Sequence, residues 1–206
     1  MLTDVQIAQN YRDALEQATR FSMGTADVQK AAERLTRALN ELGIPYAIAG
    51  GLAVAAHGYA RLTVDVDVLM TPEGLDRFKQ RWLSAGWVER FSGSRGLRDA
   101  ELGVDVDVLL TGGFPGDGKP KPVSFPDPTE ASLDIEGTRI LSLRSLIELK
   151  IASGASAPHR LQDLADVIAL IRANDLRRGF SGQLAPSVRE KFEELWRHAQ
   201  VRDEEF

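Results

Sequence analysis

The chain has 206 residues, 43% of them hydrophobic and 27% charged, a net charge of −5 and no cysteine. Such a chain holds one sizeable core, or a larger domain with a smaller helical partner, and it excludes disulfide frameworks, thiolate zinc sites and cysteine nucleophiles. The acidic balance argues against a broad nucleic-acid footprint. No apolar run approaches the roughly 20 residues of a membrane span, and the first residues lack the pattern of a secretory leader, so a soluble cytoplasmic protein is expected.

Residues 1–24 predict a helix, with Val5, Ala8, Tyr11, Leu15 and Ala18 at three- and four-residue spacing. Thr25 suits the N-cap of a second helix over 26–42, whose apolar face is Val28, Ala31, Leu35, Ala38 and Leu42. Gly43 and Pro45 stop it. A buried strand over 46–49 runs into Gly50-Gly51, a short helix follows, and the β-branched stretch TVDVDVLM over 63–70 reads as the next strand. Thr71-Pro72-Glu73 starts a helix that runs to about Ala85, and a strand over 87–91 comes next. Residues 96–101 and 104–110 predict a hairpin turning at Leu102-Gly103. Residues 111–130, rich in proline and glycine, predict a long loop, either functional or a plain surface excursion. A second hairpin over 133–141 turns at Glu136-Gly137, and the remaining chain reads as three helices, 143–153, about 158–173 and 186–200. The order of elements predicts an α/β (α+β) fold: a mixed sheet with flanking helices over 1–141 and a helical region over 142–206.

In a strand, Asp65 and Asp67 share one face and Val64, Val66 and Val68 the other, so the valines are expected in the core. Two carboxylates on one face repel each other unless a cation lies between them, and a hard divalent ion such as Mg²⁺ suits them; the alternative is a solvated edge strand. Gly50-Gly51 allows close approach of an anion to backbone N–H groups, or is simply a tight turn. The stretch GVDVDVLL over 103–110 nearly repeats 63–70, placing Asp105 and Asp107 on one face. If the two strands are neighbours, several carboxylates converge. That is unfavourable for stability but suited to two divalent ions about 3.5–4 Å apart. Lys150 falls on the apolar stripe of Leu143, Leu146 and Ile147, where a lysine either snorkels outward or meets an anion. Six basic residues between 77 and 98 (Arg77, Lys79, Arg81, Arg90, Arg95 and Arg98) face one acid, Glu89, which reads as a solvated face or a phosphate platform. His57, His159 and His198 form no metal pattern, though His57 precedes the Asp65 strand closely enough to lie near the site.

Gly50-Gly51, a short helix, Arg61, Thr63, Asp65, Asp67 and a later strand aspartate resemble the nucleotidyltransferase superfamily with the DNA polymerase β type of fold. Together with Ile147-Glu-Leu-Lys150 and Arg160-Leu-Gln-Asp163-Leu-Ala-Asp166, they look more narrowly like small bacterial AbiEii, or type IV toxin–antitoxin, and related minimal nucleotidyltransferases. The resemblance spans roughly residues 40–173. It implies an enzyme in which Asp65, Asp67 and a third carboxylate bind two Mg²⁺ ions. Asp107 is the choice for the third, and Asp105 the alternative. It further implies that Gly50, Gly51, Arg61, Thr63, Lys150 and Asp163 bind the nucleotide, and that NMP passes from an NTP to an acceptor hydroxyl on RNA, tRNA or protein, with a cognate toxin or antitoxin as a possible partner. Two other readings stay open: a weakly catalytic relative serving as an antitoxin or nucleotide-binding regulatory module, and an enzyme that nucleotidylates an antibiotic. Gln162, where many relatives place lysine, and Gly51, where many have serine, depart from the pattern.

Overall fold

The computed structural model describes residues 3–21 and 25–201. Residues 1, 2 and 22–24 of the first expected helix, and the side chains of Leu15 and Ala18, lie outside that description. Helix α1 spans Asp4–Phe21 and α2 Thr25–Glu41. On α2, Val28, Ala31, Leu35 and Ala38 of the expected face are buried, with Ala32 and Leu39 beside them, while Leu42, just past the helix end, is half-buried. Strand β1 (Tyr46–Ile48) leads into α3 (Gly50–Ala56), then β2 (Asp65–Met70) and α4 (Pro72–Trp82). Thr71 caps α4 by accepting from the Gly74 backbone N–H at 3.0 Å, and Pro72 takes the first turn, where no donor is needed. This helix stops at Trp82, three residues earlier than its sequence suggests: Leu83 is extended, and Ser84 after it turns into the left-handed region.

Strands β3 (Trp87–Glu89), β4 (Leu97–Asp99) and β5 (Asp105–Leu110) follow. After the long loop come a one-turn helix α5 (Pro128–Ala131), the hairpin β6 (Ser132–Ile135) and β7 (Thr138–Leu141), and helices α6 (Leu143–Ser156), α7 (Leu161–Ala173) and α8 (Pro186–Gln200). Both expected hairpins form. In the second, Glu136 and Gly137 both have positive φ, as a two-residue turn matching the strand twist demands.

The seven strands make one mixed sheet in the order β3-β4-β5-β2-β1-β7-β6. Val66, Val68 and Met70 point to one face, where α2 and α4 cover them together with Phe78, Trp87, Val106 and Val108. Phe78 and Trp87 meet edge to face at 5.5 Å. The other face carries Leu69 against a core built from α1, α3, α6, α7 and α8. Val64 departs from expectation: β2 begins one residue after it, and its side chain is 72% exposed. Among the described residues, no helix is long and apolar enough to cross a membrane.

Candidate active site

Strands β2 and β5 are parallel neighbours, and their register sets Asp65 opposite Asp105 and Asp67 opposite Asp107. The near-repeat in the sequence is therefore a physical pairing, with four carboxylates on one face of adjacent strands. Leu69 continues that face into the helical core, while the acids open into a cleft of about 920 Å³. Asp65, Asp67 and Asp107 line the cleft, whereas Asp105 is absent from its wall.

The glycine pair shapes the cleft by contact. Gly50 has φ +53°, and a Cβ there would lie 1.7 Å from Asp67 Oδ2, so only glycine lets the backbone press on that carboxylate. A Cβ on Gly51 would lie 2.8 Å from Thr63 Cβ, which places Gly51 buried beneath Thr63 and off the cleft wall. Thr63 in turn donates its hydroxyl to Asp65 Oδ1 at 2.9 Å.

Asp67 has neither an ion-pair nor a hydrogen-bond partner for its side chain among the described residues. Burial, then the charges of Asp65 and Asp107, push its carboxyl from 3.8 up to about 7, against the opposing pull of Lys150 and Arg160. A carboxylate in this state fits a bound cation, because a positive ion beside it would offset both the burial and the neighbouring charges that keep its proton on. Asp65, Asp67 and Asp107 are the residues that would hold Mg²⁺. As the side chains stand, no three acids or histidines among the described residues are grouped to hold a metal. Asp107 is ion-paired to Arg90 instead, and Asp105 to Arg98 at 3.0 Å and to Arg90 Nε at 3.7 Å.

The opposite wall comes from α6 and α7. Lys150 is buried, with its ammonium 2.8 Å from Asp163 and 2.7 Å from Asp166, so the lysine on the apolar stripe meets anions of its own chain. Asp163 also accepts from Ser153 Oγ at 2.6 Å. Burial alone would raise the Asp163 carboxyl, but Lys150, these hydrogen bonds and Arg160 hold it below the usual carboxylate range. Asp166, fully buried, also accepts from Arg61 Nη2 at 3.1 Å and from Gln162 Nε2 at 2.8 Å. Arg61 thus ties the loop before β2 to α7.

The rest of the cleft pairs the β3–β4 turn, with Arg90, Phe91 and Arg95, against Phe114, Pro115 and Phe125 of the long loop. That loop is an ordered wall: Lys121 donates to Pro115 O at 2.6 Å and to Ser156 Oγ at 2.8 Å. His57 sits outside the cleft. It is buried and bonded through Nε2 to Leu141 O at 2.8 Å, and its burial lowers its pKa. The sequence singled out neither Arg90 within its basic stretch nor the loop aromatics. Asp166 carried one signal, its place in the α7 motif.

No protein-family model matches the chain, and no curated protein matches it. Among solved structures, it is similar to an antigenic nucleotidyltransferase-like protein from Paracoccidioides brasiliensis, at 19% identity over 72% of this chain and 77% of that one, with a TM-score of 0.46. It is also similar to ANT(2″)-Ia, solved in complex with adenylyl-2″-tobramycin, at 14% identity over 80% of this chain and 94% of that one, with a TM-score of 0.48. Likenesses this distant carry no argument about the site, whose chemistry rests on its own residues.

Proposed function

We propose that this protein is a Mg²⁺-dependent nucleotidyltransferase that moves NMP from an NTP to an acceptor hydroxyl on RNA, tRNA or protein, releasing pyrophosphate. The observation that carries the reading is the in-register pairing of β2 with β5, which sets Asp65, Asp67 and Asp107 on a cleft wall, with no basic side chain paired to Asp67 among the described residues. Asp65, Asp67 and Asp107 hold the metal. Asp107 is preferred to Asp105 as the third carboxylate because it lines the cleft and its charge acts on Asp67. Bound Mg²⁺ supplies the positive charge that such acids need beside a polyphosphate. Gly50 shapes the floor, Gly51 supports Thr63 from beneath, Thr63 orients Asp65, and Arg61, Lys150 and Asp163 form the nucleotide wall that the 142–206 region completes. Catalysis is then positioning and charge neutralisation, with no covalent protein intermediate. A role beside a cognate toxin or antitoxin partner belongs to this same reading.

One observation favours a second reading, a weakly catalytic nucleotide-binding or antitoxin module. Asp107 and Lys150 already have partners within the chain. The test is incubation with each labelled NTP and total RNA, protein and small-molecule fractions. Transfer of label by the wild type, lost in Asp65→Ala and Asp67→Ala with the fold retained, is the expected result. Full transfer by either variant removes the metal assignment. Nucleotide binding without any transfer selects the second reading.

A further inference from the structure

We propose that Arg90 is the cation that binds the donor's triphosphate, parked on Asp107 and released once that carboxylate is engaged by a divalent ion. The proposal rests on the nucleotidyltransferase reading and assigns a phosphate ligand that the sequence motifs do not contain. A triphosphate in this cleft needs basic groups that are free to turn toward it. Lys150 is poorly placed for that, since its ammonium is buried between two carboxylates at 2.7 and 2.8 Å. Leaving either one strands a buried charge.

Arg90 is in the opposite situation. Its side chain is 40% exposed, it stands on the cleft wall, and its counter-charge is Asp107, itself 44% exposed. An exposed pair of this kind holds weakly, so it exchanges readily when a stronger cation takes the carboxylate. The guanidinium then has five donors in a planar fork, the geometry that matches phosphate oxygens.

The placement is built rather than accidental. Gly96 leaves room for the Arg90 stem, since a Cβ there would lie 2.9 Å from Arg90 Cδ. The turn that carries Arg90 is braced by Lys79, which donates to Glu89 and to Ser94 O, each at 2.6 Å. Asp105, the fourth acid of the repeat, lies 3.7 Å from Arg90 Nε and is itself fixed by Arg98. It keeps the guanidinium beside the acid centre after Asp107 lets go. This gives a role to a carboxylate that lies off the cleft wall.

The proposal makes the two affinities of one variant move in opposite directions. In Arg90→Ala, Mn²⁺ alone, followed by electron paramagnetic resonance, is expected to bind about two- to fivefold more tightly, because no guanidinium competes for Asp107. Inorganic tripolyphosphate with Mg²⁺, followed by calorimetry, is expected to bind about tenfold more weakly. Arg95→Ala is the control: Arg95 is exposed on the same turn with no ion-pair partner among the described residues, and its loss should leave Mn²⁺ affinity unchanged. Unchanged or weaker Mn²⁺ binding in Arg90→Ala overturns the proposal, as does unchanged tripolyphosphate binding or an equal gain in Mn²⁺ affinity in Arg95→Ala. If the wild type binds no Mg²⁺–tripolyphosphate, the nucleotidyltransferase reading falls together with the proposal. If the wild type binds it and Arg90→Ala binds it equally well, the proposal falls alone.

Discussion

Two charged regions face each other across the cleft, and they are built on opposite principles. On the α6–α7 side, Lys150 and Arg61 meet Asp163 and Asp166 at ion-pair distance, and the most buried members are the most fully partnered. On the β2–β5 side, Arg90 and Arg98 reach only Asp105 and Asp107; Asp65 accepts from Thr63, and Asp67 has no side-chain partner among the described residues. Burial without compensation is costly, so a fold keeps it where something else supplies the missing charge. The first region is thus a clamp that holds the helices and the Arg61 loop together. The second leaves Asp67 uncompensated, which is the basis of the cation site proposed above.

The largest expected effect breaks the clamp. Asp166→Ala removes a fully buried carboxylate from Lys150, Arg61 and Gln162 at once, leaving a buried ammonium with one partner instead of two. Truncating one partner of a buried ion pair costs about 3–5 kcal/mol, and a loss of that size in unfolding free energy, read from urea denaturation, is expected here. A change below about 1 kcal/mol would mean that water replaces the lost contacts, and the contrast between the two sides would collapse.

At the acid centre the sign reverses, since removing a charge should help. The folded protein keeps the Asp67 proton up to about pH 7, while the unfolded chain loses it near 3.8. Folded molecules therefore bind more protons than unfolded ones within that window, and metal-free stability falls as pH rises from about 4 to about 7. Asp67→Asn should flatten this slope and raise metal-free stability at pH 8 by about 1–4 kcal/mol, taking ~1.4 kcal/mol per pKa unit and allowing for screening by cleft water. Mg²⁺ should stabilise the wild type and leave the variant unmoved. Thermal melts at pH 5 and 8, with and without Mg²⁺, decide it. A variant less stable at pH 8 would show that Asp67 is not a strained charge.

The same contrast explains which parts were legible in the sequence. Strand alternation made Asp65 and Asp67 face-mates, and the repeat at 103–110 pointed to Asp105 and Asp107 as their neighbours, because a period-two pattern survives folding unchanged. The mixed sheet and both hairpins were readable from the same alternation and their turn glycines, and the helices from three- and four-residue spacing. Asp105 and Asp107 differ only once the cleft is formed, because β4 and the β3–β4 turn cover one end of β5 and Asp107 alone of the two lines the cleft. Lys150 was visible as a charge on an apolar stripe, but its partners lie on another helix, beyond local spacing. Arg90 looked like one of six equivalent basic residues, and only the path of the turn singles it out. His57, close to Asp65 in sequence, points away because the end of α3 turns it toward Leu141.

The smallest effect concerns the loop wall, which carries no part of either charge cluster but leans on the clamp. Lys121 fastens the loop to Pro115 O and to Ser156 Oγ on α6, three residues beyond the serine that donates to Asp163. Lys121→Ala removes these hydrogen bonds from a largely exposed segment, so a loss of about 0.5–1.5 kcal/mol is expected. The informative readout is local. Amides of residues 112–118 should exchange faster in the variant, while those of β2 and β5 keep their protection, because the acid centre rests on the sheet and not on the loop. Faster exchange in β2 as well would mean that the loop supports both walls of the cleft, and the separation into a self-sufficient clamp and a proposed cation site would have to be redrawn around it.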